Sequence, residues 1–499
     1  MSTFFLILIS LFFLIITLKF FFRTRTTRFN NLPPGPPFLP IIGNLHQLKQ
    51  PLHHTFQTLS QKHGQIFSLW FGSRLVVVVS SLTAAQECFT KHDIVLANRP
   101  HFLTGKYIAY NNTTVAQAPY GDHWRNLRRI ISTEVLSSHR LNTFLEIRRD
   151  EIMRLIQKLA QVCHNGFSEV ELKPLFSEMT FNTIMIMVCG KRYYGDDLDV
   201  SDVEEAKLFR DIIKEIVVLR GANNVGDFLG FVRWFDFDGL EKRLKRISKK
   251  ADSFLQGLID ERRFGKRNTD TMIDHLLKQQ QSQPEYYTDQ IIKGFIVVML
   301  LAGTDTSSLT LEWTMANLLN NPNILKKAKD ELETHMGQDY LIDEHNISKL
   351  PYLQSIVHET LRLHPAAPLL LPHLSSEEFT LKEYIIPQNT IVMVNAWVIH
   401  RDPNLWTDPT CFKPERFEKK GETNKLLSFG MGRRACPGIN LAQRTMIITL
   451  GLLIQCFEWE RISKEKIDMT EGKGITVGKK ISLKVMCKLR HPLKIKESY

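Results

Sequence analysis

The chain has 499 residues, 43% of them hydrophobic, and this length alone favours two or three domains with a large buried core. Its seven cysteines are few, odd in number and scattered, which argues against a disulfide framework and favours a reducing compartment. The formal charge of +12 favours acidic partners, namely a membrane surface, an electron-donor protein or nucleic acid, without choosing among them.

The first predicted element is an apolar helix over residues 4–22. Only Ser10, Thr17 and Lys19 interrupt it, and at 1.5 Å per residue it is about 28 Å long, enough to span a bilayer. A cleaved signal peptide is the competing interpretation, but a small-residue cleavage site is missing and three arginines follow. We therefore predict that residues 1–31 are a transmembrane anchor with a basic flank that stays in the cytosol. The flank contains Arg23, Arg25 and Arg28.

Clustered prolines follow the anchor. Each proline fixes φ and removes a hydrogen-bond donor, so residues 32–40 are predicted to form a stiff, extended hinge. Residues 41–499 are then one body with a mostly helical pattern, which indicates a mainly α fold with a minor β part. Short β-like runs occur at residues 67–71, 75–79, 390–394 and 481–485.

The most distinctive helix is predicted over residues 288–319. Thr288 or Asp289 can cap it, and an Asn-Asn-Pro sequence follows its end. From residue 295 to residue 302 it is apolar on every side, which is typical of a helix surrounded by protein. Residues 302–307, Ala-Gly-Thr-Asp-Thr-Ser, then place a glycine, an acid and hydroxyl groups in this helix. Such residues are costly in a buried helix, so they indicate a function.

Residues 429–438, Phe-Gly-Met-Gly-Arg-Arg-Ala-Cys-Pro-Gly, form a glycine-rich loop just before a helical pattern that starts near Ile439. A thiolate ligand needs a metal that keeps it deprotonated, glycines that allow close approach and hydrogen bonds that tune it, and the loop suits Cys436 to this role. The loop also matches part of a dinucleotide fingerprint, but Pro437 interrupts the helix that should follow. For the other cysteines a small buried hydrophobe is the better default. These are Cys88, Cys163, Cys189, Cys411, Cys456 and Cys487.

The cysteine loop resembles the haem-binding signature of the cytochromes P-450, Phe-x-x-Gly-x-Arg-x-Cys-x-Gly, at every fixed position. The likeness covers the whole chain in order, beginning with the anchor and the hinge. The further matching motifs are Trp124-x-x-x-Arg128, residues 302–307, Glu359-x-x-Arg362 and Pro414-Glu415-Arg416-Phe417. The resemblance implies a single large helical domain around a buried haem b, with Cys436 as the thiolate ligand to the iron.

The resemblance also implies the residues that contact the cofactor. Trp124 and Arg128 lie one helical turn apart and can meet a haem propionate, as can Arg434 and His373. His373 can equally be an ordinary histidine at a strand end, and it can be neutral. The remaining implied cofactor contacts are Ala302, Gly303, Phe429, Gly432, Cys436 and Gly438.

Two further groups have implied roles. Asp305 and Thr306 resemble the acid–alcohol pair that delivers protons to dioxygen; the alternative is a helix kink made by side chains that bond back to the backbone, and both can hold. Glu359 and Arg362 lie three residues apart and can pair, and Arg416 could complete a structural network. The alternative for that network is a surface salt bridge worth less than about 1 kcal/mol.

The implied activity is an NADPH- and O2-dependent monooxygenase in the endoplasmic reticulum membrane, with one N-terminal span in membrane lipid and the catalytic domain in the cytosol. Electrons should come from the NADPH–cytochrome P-450 reductase. Candidate docking residues for the reductase are Arg125, Arg129, Lys419, Lys420 and Lys425. Their alternative is a solvated charged face. The basic run at residues 242–250 lacks a nucleic-acid recognition fold, so no nucleic-acid partner is expected.

The substrate is predicted from likeness. By family position, residues 100–119, 298–302, 366–371 and 474–477 should line the pocket, and their aliphatic character suits a flat, apolar, aromatic guest. The overall pattern resembles the legume isoflavone 2′-hydroxylases, which implies 2′-hydroxylation of isoflavones such as formononetin or daidzein. Alternatives are 3′-hydroxylation, hydroxylation of another flavonoid, lignan or phenolic compound, a reductase-independent haem-thiolate isomerase or dehydratase, and a haem sensor.

Overall fold

The computed structural model describes Phe12 and residues 31–490, except residues 165, 196–199, 222–224, 231–235, 237–238, 266–269 and 337–339. The predicted anchor segment, residues 1–31 with its arginines, lies outside the described residues apart from Phe12 and Asn31. Within the described part, Asp289–Asn320 and Ile439–Cys456 are long and apolar enough to cross a membrane. In each, 67% of the most apolar window is buried inside the protein, as expected for core helices.

The described part is mainly helical, as predicted. Its α-helices are α1 Leu52–His63, α2 Leu82–Thr90, α3 Leu103–Ile108, α4 Asp122–Ile130, α5 Ser138–Thr143, α6 Leu145–Val162, α7 Leu172–Cys189, α8 Val200–Gly221, α9 Leu240–Phe264, α10 Met272–Ser282, α11 Asp289–Gly303, α12 Asp305–Asn320, α13 Pro322–Met336, α14 Pro351–Leu363, α15 Ala396–Ile399 and α16 Ile439–Cys456. The strands are β1 Ile66–Phe71, β2 Arg74–Val79, β3 Ser168–Glu171, β4 His373–Leu374, β5 Phe379–Leu381, β6 Tyr384–Ile386, β7 Ile391–Val394, β8 Phe457–Glu460 and β9 Lys484–Leu489.

The largest sheet joins strands from residues 66–79 to strands from residues 373–394. Its order is β1-β2-β7-β4, and β2 and β7 pair in parallel with Val76 opposite Ile391. The valines of β2 are fully buried, because β-branched side chains pack well on a sheet that is covered on both faces. The smaller sheets have the orders β3-β9-β8 and β5-β6. These sheets form the predicted minor β part.

Three of the four predicted β runs are confirmed, and the one at residues 481–485 was misplaced. The strand there, β9, begins at Lys484. The backbone of Leu483 is bound outside the sheet ladder, because its N–H donates to Glu312 of α12 at 2.8 Å and its carbonyl accepts from Leu172 at 3.0 Å. These long-range partners leave no trace in the local sequence pattern.

The predicted core helix begins where expected but is divided in two. Thr288 caps it by accepting a hydrogen bond from the N–H of Ile291, and α11 ends at Gly303, with Thr304 between α11 and α12. The hydroxyl of Thr304 donates to the carbonyl of Leu300 at 2.7 Å, a back-bond of the kind that bends helices. The helix predicted over residues 288–319 is therefore interrupted at Thr304, and the back-bonding kink considered for this segment is present.

The predicted hinge lies partly against the domain. The carbonyl of Pro34 accepts a hydrogen bond from the N–H of Ser68 in β1 at 2.8 Å, and the hydroxyl of Ser68 donates to Pro33 at 2.7 Å. A side chain on Gly35 would clash with the carbonyl of Ser68. From Pro33 onward, these residues therefore follow the edge of the largest sheet.

Candidate functional site

The Cys436 loop is folded tightly before α16. The N–H of Cys436 donates to the carbonyl of Phe429 at 2.8 Å, and Gly430 has a left-handed φ of 69° that favours glycine. A side chain on Gly438 would lie 3.8 Å from the Cys436 sulfur, so this glycine leaves open space beside the sulfur. The loop therefore presents one thiol at the wall of a cavity.

The cavity has a volume of about 610 Å³, within the range of small-molecule sites. Its wall is formed by side chains of α4, α8, α11, α12 and α16 together with the cysteine loop, and most of these side chains are apolar. Representative lining residues are Val115, Ile131, Val298, Leu301, Leu370 and Ile475. Such a wall desolvates a flat organic ligand and places it beside the sulfur of Cys436.

Three guanidinium groups, those of Arg99, Arg128 and Arg434, line the same cavity. Each donates to backbone carbonyls, and no acidic side chain among the described residues pairs with them. The buried Nε of Arg99 has no partner in the described part, and burial lowers the pKa of Arg99 to about 10 and that of Arg434 to about 9. Buried cations normally need anionic partners, so the cluster suits a ligand with carboxylates.

The sulfur and the guanidinium cluster together fit a haem. The iron requires a thiolate, and the two propionates require cations, and both kinds of group line one apolar cavity. Burial raises the pKa of the Cys436 thiol, while the backbone N–H of Gly438 and the Arg128 guanidinium oppose that rise. A bound metal cation would favour the thiolate further.

Trp124 and His373 also line the cavity, but the ring N–H group of each donates a hydrogen bond to a backbone carbonyl. The indole N–H of Trp124 donates to the carbonyl of Val115 at 3.1 Å, and its ring lies 4.4 Å from the guanidinium carbon of Arg434. The Nδ1 of His373 donates to the carbonyl of Leu96 at 2.6 Å, and burial lowers its pKa well below the ordinary histidine value. Neutral His373 therefore offers its other nitrogen as an acceptor, which does not suit a propionate.

The acid and the alcohol predicted for catalysis lie next to the helix break. The hydroxyl of Thr306 donates to the carbonyl of Ala302 at 2.7 Å, so the back-bonding considered as an alternative is present. Asp305 lines the cavity, and burial raises its pKa, against the opposing effect of Lys173 and Arg220. Its carboxyl therefore stays protonated to a higher pH than an exposed aspartate and can give up a proton in the cavity.

Gly303 and Ala302 have separate structural reasons for their small size. A side chain on Gly303 would lie 2.8 Å from Ile184, so the glycine allows α7 to pack closely against α11. Ala302 is exposed, and its surface faces the cavity. The small pair therefore provides both close helix packing and open volume.

Glu359, Arg362 and Arg416 form a buried network. Arg362 donates to both carboxylate oxygens of Glu359 at 2.7 and 2.8 Å, and the Nε of Arg416 lies 3.3 Å from the same carboxylate. Arg362 and Glu359 are 0% exposed, so the pair is not a surface salt bridge. Arg362 also donates to the carbonyls of His400 and Pro409 at 2.5 and 2.7 Å. The network fixes the chain that leads into the cysteine loop.

Comparison with known proteins decides the family. A family model described as "Cytochrome P-450" matches residues 33–485. The chain belongs to the cytochrome P-450 family. It is 81% identical to "Cytochrome P-450 81E8" of Medicago truncatula over 100% of both chains. It is also 64% identical to an isoflavone 3′-hydroxylase of Medicago truncatula, covering 98% of both, and 60% identical to an isoflavone 2′-hydroxylase of Glycyrrhiza echinata, covering 96% of both.

Family membership makes the protein a haem-dependent monooxygenase, an oxidoreductase with a thiolate-bound haem b, dioxygen and NADPH-derived electrons. Members of this family generally take those electrons from an NADPH–cytochrome P-450 reductase and act on aromatic substrates, and plant members are typically bound to the endoplasmic reticulum membrane. The predicted fold class and cofactors are confirmed.

The structure corrects two predictions, namely that Gly432 contacts the cofactor and that Cys411 is buried. Gly432 does not line the cavity in the described part; a side chain there would lie 2.4 Å from Asp93 and 2.8 Å from the carbonyl of Phe89, so this glycine seats the loop against the end of α2. Cys411 is exposed, which corrects the default that all remaining cysteines are buried, because it lies in a turn between irregular segments. The other five are buried.

The predicted pocket segments all reach the cavity, but they do not complete it. Residues 298–302, 366–371 and 474–477 each supply several lining residues, whereas residues 100–119 supply two. Sequence reasoning missed Arg99 and the end of α8, with Val217, Val218 and Arg220. The sequence signal that could have found them is a charged residue in a mainly apolar segment. That signal is weak when the three-dimensional contacts of the residue are unknown.

Proposed function

We propose that this cytochrome P-450 hydroxylates an isoflavone, with the 2′-position as the first expectation and the 3′-position as the competing one. The observation that carries the proposal is the apolar cavity that combines the thiol of the cysteine loop with three guanidinium groups, none of which has an acidic partner among the described residues. The substrate class is supported by relatives with those two named activities at 60% and 64% identity. The higher identity of the 3′-hydroxylase is the specific reason to test both positions.

In this proposal Cys436 would supply the thiolate that binds the iron, and Arg128, Arg434 and Arg99 would hold the propionates. Haem, when bound, supplies the reduction of dioxygen and the insertion of one oxygen atom into a C–H bond of the substrate. Phe429 and Gly438 enclose the sulfur, and Gly432 supports the loop from outside. His373 would join the propionate contacts only in its protonated form, because its neutral form offers an acceptor.

The chain's own residues would bind, dehydrate and supply protons. The aliphatic wall, which includes Val298 and Leu370, excludes water and orients an aromatic ring by shape. The carboxyl of Asp305, held protonated to higher pH by burial, would pass a proton to the hydroxyl of Thr306. Ala302 leaves room beside that hydroxyl. Trp124 would support the propionate side through its contact with Arg434.

We also propose that residues 1–31 anchor the protein in membrane lipid and that the reductase docks near the cysteine loop. Arg129, Lys419 and Lys420 are exposed and available for this docking. Arg125 and Lys425 already have local acidic partners, Asp122 and Glu422 respectively. Those two therefore fit the solvated-face interpretation better than the other three.

The test is expression with a plant reductase, followed by feeding formononetin, daidzein and a panel of flavones and lignans. Product masses and NMR spectra should show one added oxygen on the isoflavone ring at the 2′- or 3′-position, dependent on NADPH. Turnover of flavones or lignans alone would refute the substrate, and turnover without NADPH would favour an isomerase or dehydratase. Replacing Cys436→Ser should abolish the red-shifted Soret band of the reduced carbon monoxide complex; an unchanged band would refute the ligand assignment.

A further inference from the structure

One cation on the cavity wall lies apart from the guanidinium cluster. Arg220 is in the last turn of α8 and lines the cavity together with Val217 and Val218 of the same helix. Within the described part of the chain, its guanidinium has neither a hydrogen bond nor an ion pair. Burial lowers its pKa, and the charge of Asp305 across the cavity opposes that shift.

A helix-terminal role does not account for this placement. A basic residue in the last turn of a helix interacts favourably with the helix dipole, and that interaction needs only proximity to the helix end. Arg220, however, faces a mainly apolar cavity, where five N–H donors and a full charge lose their water. A charged group in such a place costs free energy unless a ligand supplies the missing acceptor.

The other cations of the cavity differ from Arg220. Arg99, Arg128 and Arg434 each donate to backbone carbonyls on the side of the cysteine loop. Lys473, at the tip of the turn before Ile475, lines the cavity but is exposed to solvent. Among its buried nitrogens, Arg99 leaves only Nε unpaired. Among the described residues of the wall, Arg220 is the partly buried cation whose guanidinium makes no hydrogen bond at all.

We infer that Arg220 is a specificity-determining residue that binds an acceptor oxygen of the substrate. The ligand class is a flat aromatic molecule with a ring-conjugated carbonyl or phenolate oxygen, since a planar guanidinium fork matches such an oxygen in direction and charge. Binding at this point fixes which end of an otherwise apolar molecule is left free to approach the sulfur side of the cavity. The inference rests on the proposed function in one respect, namely that the substrate is an oxygenated aromatic compound.

A site built to donate hydrogen bonds discriminates strongly against an analogue that lacks the acceptor, because the donors are then left unpaired. The purified haem-loaded protein, without NADPH, should therefore be titrated with two ligands of the same skeleton. These are an isoflavone and the corresponding isoflav-3-ene, which has the same ring skeleton with its heterocyclic double bond between C3 and C4 and lacks the carbonyl. Binding is read from the spin-state shift of the Soret band, so proton delivery by Asp305 does not enter the measurement.

Arg220→Met should weaken isoflavone binding tenfold or more and change isoflav-3-ene binding less than twofold. Arg220→Lys, which keeps the charge but loses the fork, should fall between wild type and Arg220→Met. Lys214→Met is the matched control, since it removes an exposed cation of the same helix that does not line the cavity, and it should leave both dissociation constants unchanged. Under turnover, Arg220→Met should also give a broader mixture of 2′- and 3′-products.

Equal losses for both ligands would overturn the inference in favour of a packing role, and unchanged isoflavone binding in Arg220→Met would overturn it outright. An equal effect of Lys214→Met would show general electrostatic attraction in place of a specific contact. If wild type does not bind isoflavones, the proposed substrate fails, and the same titration is made with flavones and their deoxygenated analogues. Selective loss for the carbonyl ligands there would support Arg220 independently, and its absence would refute it.

Discussion

Two of the protein's arrangements of arginine with an acidic residue differ in how far their charges are satisfied by hydrogen bonds. In the network of Glu359, Arg362 and Arg416, each carboxylate oxygen of Glu359 accepts at least one hydrogen bond. In the cavity, Asp305 and Arg220 influence each other's pKa but form no ion pair within the described residues. We call the first arrangement a closed network, because its carboxylate and guanidinium groups are hydrogen-bonded to each other. We call the second an open pair, because its carboxyl and guanidinium groups are not.

The difference shows how one chain can use charge for structure and for ligand binding. A closed network offsets its desolvation through short hydrogen bonds and fixes loops in place. An open pair keeps free donors and a labile proton at the expense of stability, as functional sites often do. Three substitutions test this contrast, and they are ordered from the largest expected effect to the smallest.

The first substitution opens the closed network. Glu359→Gln removes the counter-charge of Arg362, which is fully buried, and should lower the free energy of unfolding by about 3–5 kcal/mol. Urea denaturation followed by far-ultraviolet circular dichroism measures this loss. Glu418→Gln is the control, because Glu418 pairs with Lys327 at an exposed surface, and it should change the free energy by less than about 0.5 kcal/mol. Equal effects of the two variants would contradict the contrast.

The second substitution tests how rigid the open region is. Gly303→Ala places a Cβ 2.8 Å from Ile184, and overpacking of this kind should cost about 1–3 kcal/mol of unfolding free energy. Gly257→Ala in α9 is the control, because no atom lies within 4 Å of the added Cβ, and it should stabilise the protein by about 0.4–1 kcal/mol. Thermal unfolding separates the two signs. A neutral Gly303→Ala would show that α7 and α11 move apart easily.

The third substitution removes the open carboxyl. The folded protein raises the pKa of Asp305, so its ionisation destabilises the fold as pH rises above the ordinary aspartate value of 3.8. Asp305→Asn cannot ionise and should therefore raise the free energy of unfolding at neutral pH, by less than Gly303→Ala lowers it. The gain should shrink as pH falls through the raised pKa and vanish below 3.8. A gain that is independent of pH would point to a cause other than this carboxyl.

The features that the sequence predicted correctly are those whose signals lie close together in the chain. The capping threonine at position 288 and the start of α16 at Ile439 are encoded within one helical turn, and the cysteine loop is a contiguous motif. The Glu359–Arg362 pair also lies within one turn of α14. Family resemblance then supplied the roles that local patterns could not give.

The features that the sequence did not predict depend on contacts between distant parts of the chain. Arg99 donates to the carbonyl of Leu371, 272 positions later, and only that fold brings it to the cavity. The break at Thr304 depends on back-bonding hydroxyls together with the packing of Ile184 against Gly303. The hydrophobic periodicity of the sequence predicts a continuous helix there, because it reports which faces of the helix are apolar and not which side chains pack against them.

The parallel pairing of β2 with β7 has a consequence for biosynthesis. Val76 and Ile391 lie more than 300 positions apart, which at a translation rate of roughly 5–20 residues per second corresponds to about 15–60 s. During that interval the valine-rich strand has emerged from the ribosome without the neighbour that completes its sheet. An unpaired strand edge of this kind can bind other chains until β7 has been synthesised. We therefore expect cotranslational chaperone contact with residues 74–79 to last longer than contact with the helices between the two strands.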